Sequence, residues 1–326
     1  QRDDLGVVDL SPEVDATRRS NRAFLIGRAQ MLERMGLAER AGPARWTLSA
    51  DIEPTLRALG ERGDIIKTMH KAMSGRGPQG ALAPLALHGE DENRRVIGRL
   101  VGRGLHNELT GEAYAIVEGV DGRAHYLRFP DLGQTNDAAP GAIVETSEWT
   151  DRKGRRRSSL LVRSDLPLER QVDARGATWL DRQLLSPRAE TLGGGFGAEV
   201  RLALDERRDR LVDQGLAKRH GKSVTLARNL LGTLRKQELD SAGEALAARY
   251  GRISRPVAEG EHVSGTYREH ITLASGRFAM IDDGVGFQLV PWRRDLERHL
   301  GKEIAGKVNA RGGVDWNFAR SRGPVI

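Results

Sequence analysis

The chain has 326 residues, of which 30% are charged and 38% hydrophobic, and its formal net charge is +7. This length favours two domains, and no apolar stretch approaches the roughly 20 residues of a membrane span. The absence of cysteine excludes disulfides, thiolate metal sites and a cysteine nucleophile. We expect a cytoplasmic protein with no membrane partner. Because residue 1 is Gln and no signal peptide pattern follows it, we also expect a piece of a longer protein.

Most basic residues are arginines, since only eight of the 52 are lysines. Arginine suits phosphate oxygens and guanine edges better than lysine does. A GC-rich coding sequence explains the excess of arginine over lysine equally well. It does not explain the net positive charge, which favours a polyanionic partner.

The first predicted elements belong to an internal repeat, because residues 32–61 and 211–238 align with one deleted residue inside a turn. In each copy a helical apolar pattern ends at a glycine, Gly36 or Gly215, and two short strands around a turn follow. This order is the end of a winged helix-turn-helix. We therefore predict one shared winged-helix fold in both copies, over residues 20–60 and 198–238.

A looser repeat follows each of these copies, at residues 96–129 and 262–292. Both have a Val-x-Gly start and short strands separated by glycine turns, which predicts a small barrel or curled sheet. In the first copy a closing hairpin is predicted around residues 152–157. In the second copy a helical turn is predicted at 296–300 and a last strand at 314–318.

These patterns predict an α+β protein made of duplicated winged-helix plus small β-barrel units. The predicted domains are listed in chain order: winged helix 1 in residues 1–74, small β-barrel 1 in 90–165, a linker and winged helix 2 in 166–255, and small β-barrel 2 in 256–326. Gly- and Pro-rich segments at 75–89 and 164–195 are predicted to be connecting segments.

Several longer segments carry a resemblance to a known family: ASGRFAMIDDG at 274–284, FQLVPW at 287–292, GVDW at 313–316, RLVGRGL at 99–105 and GATWLD at 176–181. With them the chain resembles, over nearly its whole length, the C-terminal region of conjugative relaxases of the border-endonuclease type. In that family a separate N-terminal domain nicks one DNA strand through a tyrosine, with a metal held by a His-x-His cluster.

That nicking apparatus is absent from this sequence. No two of the eight histidines stand two positions apart, and the four tyrosines lie in or beside predicted strands. The resemblance therefore implies a region downstream of the nuclease. It assigns this chain no catalytic residue, no metal ligand and no cofactor.

Two other patterns have a functional and a structural interpretation. Asp282 and Asp283 could bind Mg²⁺, but they precede Gly284 at a predicted hairpin tip, where aspartate is favoured for turn geometry. The glycine-rich residues 193–197 lack the Gly-Lys-Ser/Thr ending of a P-loop, so a flexible linker is the preferred interpretation.

The basic features point to nucleic acid more directly. Residues 152–157 form a basic loop, which is either a solvated turn or a phosphate clamp. The second wing and its preceding helix, the recognition helix of a winged helix, are also basic, although Asp205, Glu206 and Asp209 are interleaved with Arg201, Arg207, Arg208 and Arg210. The candidate nucleic-acid-binding residues are Arg152, Lys153, Arg155, Arg156, Arg157, Lys218, Arg219, Lys222, Arg201 and Arg208.

Trp149, Trp292 and Trp316 could stack on bases, but aromatic residues at strand ends more often belong to a core. Two functions stay open. One is a non-catalytic nucleic-acid-binding accessory region of a conjugative relaxase, holding DNA near the transfer origin. The other is a protein-interaction module that docks the relaxosome to partner or secretion-coupling proteins. A clustered basic face favours the first, and an exposed apolar patch favours the second.

Overall fold

A computed structural model describes residues 6–10, 16–75, 83–88, 95–151, 153–187, 190–221, 223–310 and 312–318. The predicted α+β class is confirmed, since these residues form both helices and sheets whose strand pairs are mostly antiparallel. No helix among them is long and apolar enough to cross a membrane. The chain divides into two compact units, residues 1–70 and 71–326, which we describe separately.

The first unit contains a helix, a hairpin and the start of a second helix, as the repeat predicts. Its elements are β1 (Val7–Asp9), α1 (Ala16–Arg34), β2 (Ala38–Gly42), β3 (Arg45–Leu48) and α2 (Ile52–Ser74), whose last residues extend into the second unit. Strand β1 pairs with β3 and was not predicted. The core is formed by Ala29, Ala38 and Trp46. The Trp46 Nε1–H donates to Glu33 Oε2 at 2.9 Å, which satisfies the indole in this core.

A six-stranded sheet opens the second unit. Its strands are β4 (Leu85–Leu87), β5 (Ile97–Leu105), β6 (Ala113–Gly119), β7 (Ala124–Phe129), β8 (Ile143–Thr150) and β9 (Arg156–Ser164), in the order β4-β7-β6-β5-β8-β9. Strand β4 is parallel to β7, and the other pairs are antiparallel. Alternate residues of β5 to β9, including Leu100, Val117, Phe129 and Leu160, form a buried core on one face.

The segment after this sheet is helical. It contains α3 (Leu168–Asp173), α4 (Trp179–Leu184), α5 (Phe196–Asp213), the hairpin β10 (Ala217–His220) and β11 (Ser223–Leu226), and α6 (Leu230–Tyr250). Trp179, Leu180 and Phe196 pack with Ile97 and Ile143 of the first sheet. Residues 164–195, predicted as a connecting segment, therefore contribute two short helices and a buried core.

Gly193, the first residue of the glycine run, is also closely packed, so the flexible-linker interpretation is wrong at this position. The Gly193 N–H donates to the Val120 carbonyl at 2.8 Å. A Cβ atom on Gly193 would lie 2.1 Å from the Asp121 carbonyl oxygen, well inside contact distance. Glycine is needed here because two backbone segments approach each other closely.

The second sheet repeats the strand order of the first. Its strands are β12 (Ile253–Arg255), β13 (His262–Leu273), β14 (Gly276–Asp282), β15 (Gly286–Pro291), β16 (Glu303–Val308) and β17 (Val314–Asn317), ordered β12-β15-β14-β13-β16-β17. Its first strand, β12, again pairs in parallel, here with β15. A short 3₁₀ helix, Arg294–His299, lies near the predicted helical turn. Within the described residues each sheet keeps two unpaired edges, so the sheets are open in their hydrogen bonding.

Candidate nucleic-acid interface

The predicted basic loop lies at the tip of the β8–β9 hairpin. Trp149 pairs with Arg157, and Thr150 pairs with Arg156, so the turn consists of residues 151–155. Residues 148–157 contain five basic and two acidic side chains. The hairpin therefore presents an excess of positive charge at one exposed end. We call residues 148–157 the basic tip.

Asp151 organises the turn of the basic tip. Its Oδ1 accepts the backbone N–H groups of Lys153 at 2.9 Å and Arg155 at 3.0 Å. The Asp151 N–H in turn donates to the Arg155 carbonyl at 2.8 Å. The hydrogen bond from the Arg155 N–H lowers the pKa of Asp151 to about 2, so this carboxylate stays ionised at any physiological pH.

The same carboxylate orients two arginines. Both Arg155 Nε–H and Arg157 Nε–H donate to Asp151 Oδ2, each at 3.1 Å. Their Nη groups make no hydrogen bond within the described chain, so they are available to phosphate oxygens. Arg156 Nη2 donates to Glu148 Oε2 at 3.4 Å. Arg152 was also predicted here, and it lies outside the described residues.

Trp149 adds an aromatic surface beside these arginines. Its side chain is 45% exposed and stands opposite Arg157 in the strand register. Trp292 and Trp316 differ, because both are partly buried against the core of the second sheet. Trp292 Nε1–H also donates to Tyr267 Oη at 3.0 Å. Among the three tryptophans considered from the sequence, only Trp149 combines exposure with neighbouring cations.

The second predicted group lies on the β10–β11 hairpin. Lys218 is exposed and its ammonium group makes no hydrogen bond or ion pair with another described residue, whereas Arg219 forms an ion pair with Asp209 of α5. Lys222 lies outside the described residues. No hydrogen bond or ion pair joins this hairpin to the basic tip among the residues that the structure describes.

The arginines of α5 do not form an open basic face. Arg207 is fully buried and paired with Asp181, which corrects its placement on a recognition surface. Arg208 pairs with Asp205 of its own helix and Arg210 with Asp173 of α3. Arg201 Nη2 donates to the Leu192 carbonyl at 2.8 Å. The interleaved acids thus reduce the charge that this helix presents.

The aspartate pair at 282–283 is occupied by turn and arginine contacts. Asp283 Oδ1 accepts the N–H groups of Val285 and Gly286, and the latter bond is the main cause that lowers the pKa of Asp283. Asp282 Oδ2 accepts from Arg268 Nε at 3.2 Å. In the described part of the chain, no group of three or more His, Asp or Glu residues could hold a metal ion.

The sequence did not single out a second group of arginines, which the fold brings to one cleft in residues 71–326. Arg163, Arg182, Arg277 and Arg294 line it together with Asp137 and Asp165. These residues are far apart in the sequence and none lies in the predicted basic loop or wing. Only the tertiary structure could reveal the cleft.

Comparison with known proteins gives one match. A family model described as a protein of unknown function, DUF3363, matches residues 25–159 and 148–325. The two matched segments fall on the two halves of the internal repeat. No curated protein matches the chain. No solved structure matches it either.

Proposed function

Because the chain belongs to the DUF3363 family, whose function is unknown, we propose its role from its own residues. We propose that it is a non-catalytic, nucleic-acid-binding accessory region of a conjugative relaxase, acting in the cytoplasm on DNA near the transfer origin. The relaxase context comes from the sequence resemblance described above. In this proposal each half is a winged helix followed by a small barrel-like sheet.

The observation that carries DNA binding is the basic tip. Asp151 holds Arg155 and Arg157 by their Nε atoms, and their Nη groups make no hydrogen bond among the described residues. Side chains that are already oriented lose less conformational entropy when they bind phosphate. Trp149 stands next to them and is exposed enough for a base to stack on it.

The experiment is a salt titration of binding to labelled single-stranded and duplex oligonucleotides. The test variant reverses the charge of the tip, with Arg155→Glu, Arg156→Glu and Arg157→Glu. We expect weaker binding and a smaller salt slope, by about 0.7 to 0.9 logarithmic units for each lost phosphate contact. The loss should be nearly equal for all DNA sequences, since phosphates carry no sequence information.

A matched control reverses three other exposed basic residues, with Arg293→Glu, Arg298→Glu and Lys302→Glu. These side chains are exposed and have no ion-pair partner among the described residues. Their reversal changes the net charge by the same amount as the tip variant does. The control should keep the salt slope of the wild type. If the wild type shows no salt-dependent binding near physiological ionic strength, or if both triple variants lose it equally, the basic tip is not the DNA site.

Trp149→Ala tests which strand state is bound. If bases stack on this indole, affinity for a single-stranded oligonucleotide should fall by about 5- to 150-fold, as loss of one stacking contact predicts, while duplex affinity stays the same. Equal losses for the two forms would contradict stacking at Trp149.

One observation favours the docking function instead. Phe24, Leu25 and Met31 of α1 are exposed, as is Met35 directly after the helix, and Phe24 and Met31 have the spacing of one helix face. If this face docks a partner protein, a parent protein with Phe24→Ser and Met31→Ser should lose DNA transfer in a mating assay while this region keeps its oligonucleotide affinity. Unchanged transfer would argue against docking through α1.

A further inference from the structure

A cleft of about 430 Å³ in residues 71–326 has more positive than negative side chains in its walls. It lies between the end of β9, helix α4, the β13–β14 turn and the start of the 3₁₀ helix. Four arginines and two aspartates line it, and Trp292 forms part of its apolar wall. The distribution of the two negative charges decides whether an anion could bind there.

Arg277 forms ion pairs with both aspartates of the cleft. Its Nε and Nη2 donate to the two oxygens of Asp165 at 2.9 and 2.6 Å, and its Nη1 donates to Asp137 at 2.5 Å. These contacts raise the pKa of Arg277 above its usual range. Both carboxylates of the cleft are therefore bound to one arginine, and the four arginines of the lining exceed the two aspartates by two positive charges.

Arg182 forms no ion pair among the residues that the structure describes. Its one hydrogen bond among the described residues runs from Nη2 to the Ser275 carbonyl at 3.1 Å. Of the two acids near enough to affect it, Asp181 is held by Arg207 in a buried ion pair. Glu238 accepts the N–H groups of Ala274 and Ser275 at 2.7 and 2.9 Å.

The surroundings of Arg182 also disfavour its positive charge. Burial lowers the pKa of Arg182, and the nearby cations Arg235 and Arg163 lower it further, against the opposing effect of Asp181. Burial likewise lowers the pKa of Arg235, and no carboxylate of the described residues is hydrogen-bonded to it. A bound anion would relieve this repulsion, and planar guanidinium groups match phosphate oxygens in pairs.

We infer that this cleft is a binding site for a phosphate group, held by Arg182 with Arg163 and Arg294 around it. Arg163 Nε is bound to Glu145, and Arg294 Nη1 donates to the Gly133 carbonyl, so both arginines are fixed in place and keep further N–H donors. The phosphate belongs either to a nucleic-acid backbone or to a free phosphate compound. The inference does not rest on the proposed function, since the basic tip shares no residue with the cleft.

The test is calorimetric titration of the full chain with inorganic phosphate in a phosphate-free buffer. Arg182→Gln should weaken binding by about 10- to 100-fold, which is the range expected when a charged hydrogen-bond donor is lost. Arg170→Gln on α3 is the matched control and should bind as the wild type does. The inference is overturned if the wild type binds no phosphate at millimolar concentration, or if the two variants bind equally.

A second measurement avoids the risk that Arg182→Gln alters the fold. Titration of wild-type protein with phosphate should shift the ¹⁵N resonance of Arg182 Nε before those of the basic tip; a uniform shift of all arginines would overturn the inference.

Competition between phosphate and an oligonucleotide identifies the nucleic-acid backbone as the source. Phosphate binding that needs Arg182, with oligonucleotide binding unaffected by Arg182→Gln, identifies a free compound. The charge-reversed tip variant should still bind phosphate, so failure of one site is distinguishable from failure of the other.

Discussion

At the scale of single residues, Arg207 makes the strongest prediction about stability. All five of its N–H groups donate hydrogen bonds, two to Asp181 and three to the carbonyls of Val172, Ala174 and Gly176. Together with the Arg207–Asp181 ion pair they form one buried network. Arg207→Met leaves a buried carboxylate uncompensated, so we expect a loss of about 3–5 kcal/mol in the free energy of unfolding, measured with urea. Arg208→Met, on the exposed side of the same helix, should cost at most about 0.5 kcal/mol. Similar stabilities for the two variants would contradict this account.

Asp151 makes a residue-scale prediction about pH. Its pKa in the folded protein is about 2, below the value of about 3.9 in an unfolded chain. A lowered folded-state pKa gives stability that is present above the unfolded value and is lost as the pH falls through the folded value. Asp151→Asn should therefore lower the melting temperature at pH 7, and the difference from wild type should shrink between about pH 5 and pH 2. A difference that stays constant with pH would show that the charge of Asp151 is not responsible.

At the scale of elements, the close packing of Gly193 can be tested against its neighbour. Gly193→Ala would place a methyl group against the Asp121 carbonyl, whereas nothing lies within 4 Å of the corresponding position on Gly194. We expect Gly193→Ala to cost about 1–3 kcal/mol of unfolding free energy, as overpacking does. Gly194→Ala should be close to neutral in the same urea titration. Equal effects would mean that residues 193–194 act as the flexible linker that composition alone indicates.

The elements that the sequence predicted correctly are those with local signals. Both hairpins of the helix–strand–turn–strand repeat are present, as is the hairpin around the basic loop, because glycine turns and alternating strands are encoded within a few residues. Helices α3 and α4 were missed, since each has only six residues and is held by tertiary packing of Trp179 and Leu180. The burial of Arg207 was missed for the same reason: its partner Asp181 lies 26 positions away.

At the scale of the whole molecule, the internal duplication explains the shared strand order of the two six-stranded sheets. Gly98 and Gly265 also occupy matching places. A Cβ on Gly98 would clash with the carbonyl oxygen of Glu118, the penultimate residue of β6. A Cβ on Gly265 would clash with the carbonyl oxygen of Asp282, the last residue of β14. The sequence repeat predicted two related sheets. It could not show the parallel edge strands β4 and β12, whose pairing depends on contacts over 30 residues away.

The last prediction concerns how the second unit folds. Ile97 and Ile143 of the first sheet, and Val120 in its β6–β7 turn, are buried against Trp179, Phe196 and Val200 of the following helices. The first sheet alone would therefore expose this apolar surface. We expect a fragment of residues 83–166 to lack a cooperative urea transition. A fragment of residues 83–326 should unfold in one transition, because Arg277 also ties β14 to Asp137 and Asp165 beside the first sheet. Amide hydrogen exchange provides the second measurement, with protection of β5 and β8 expected only in the longer fragment. Native-like protection of these strands in the shorter fragment would show that each half folds independently, as two separate copies of one ancestral unit would.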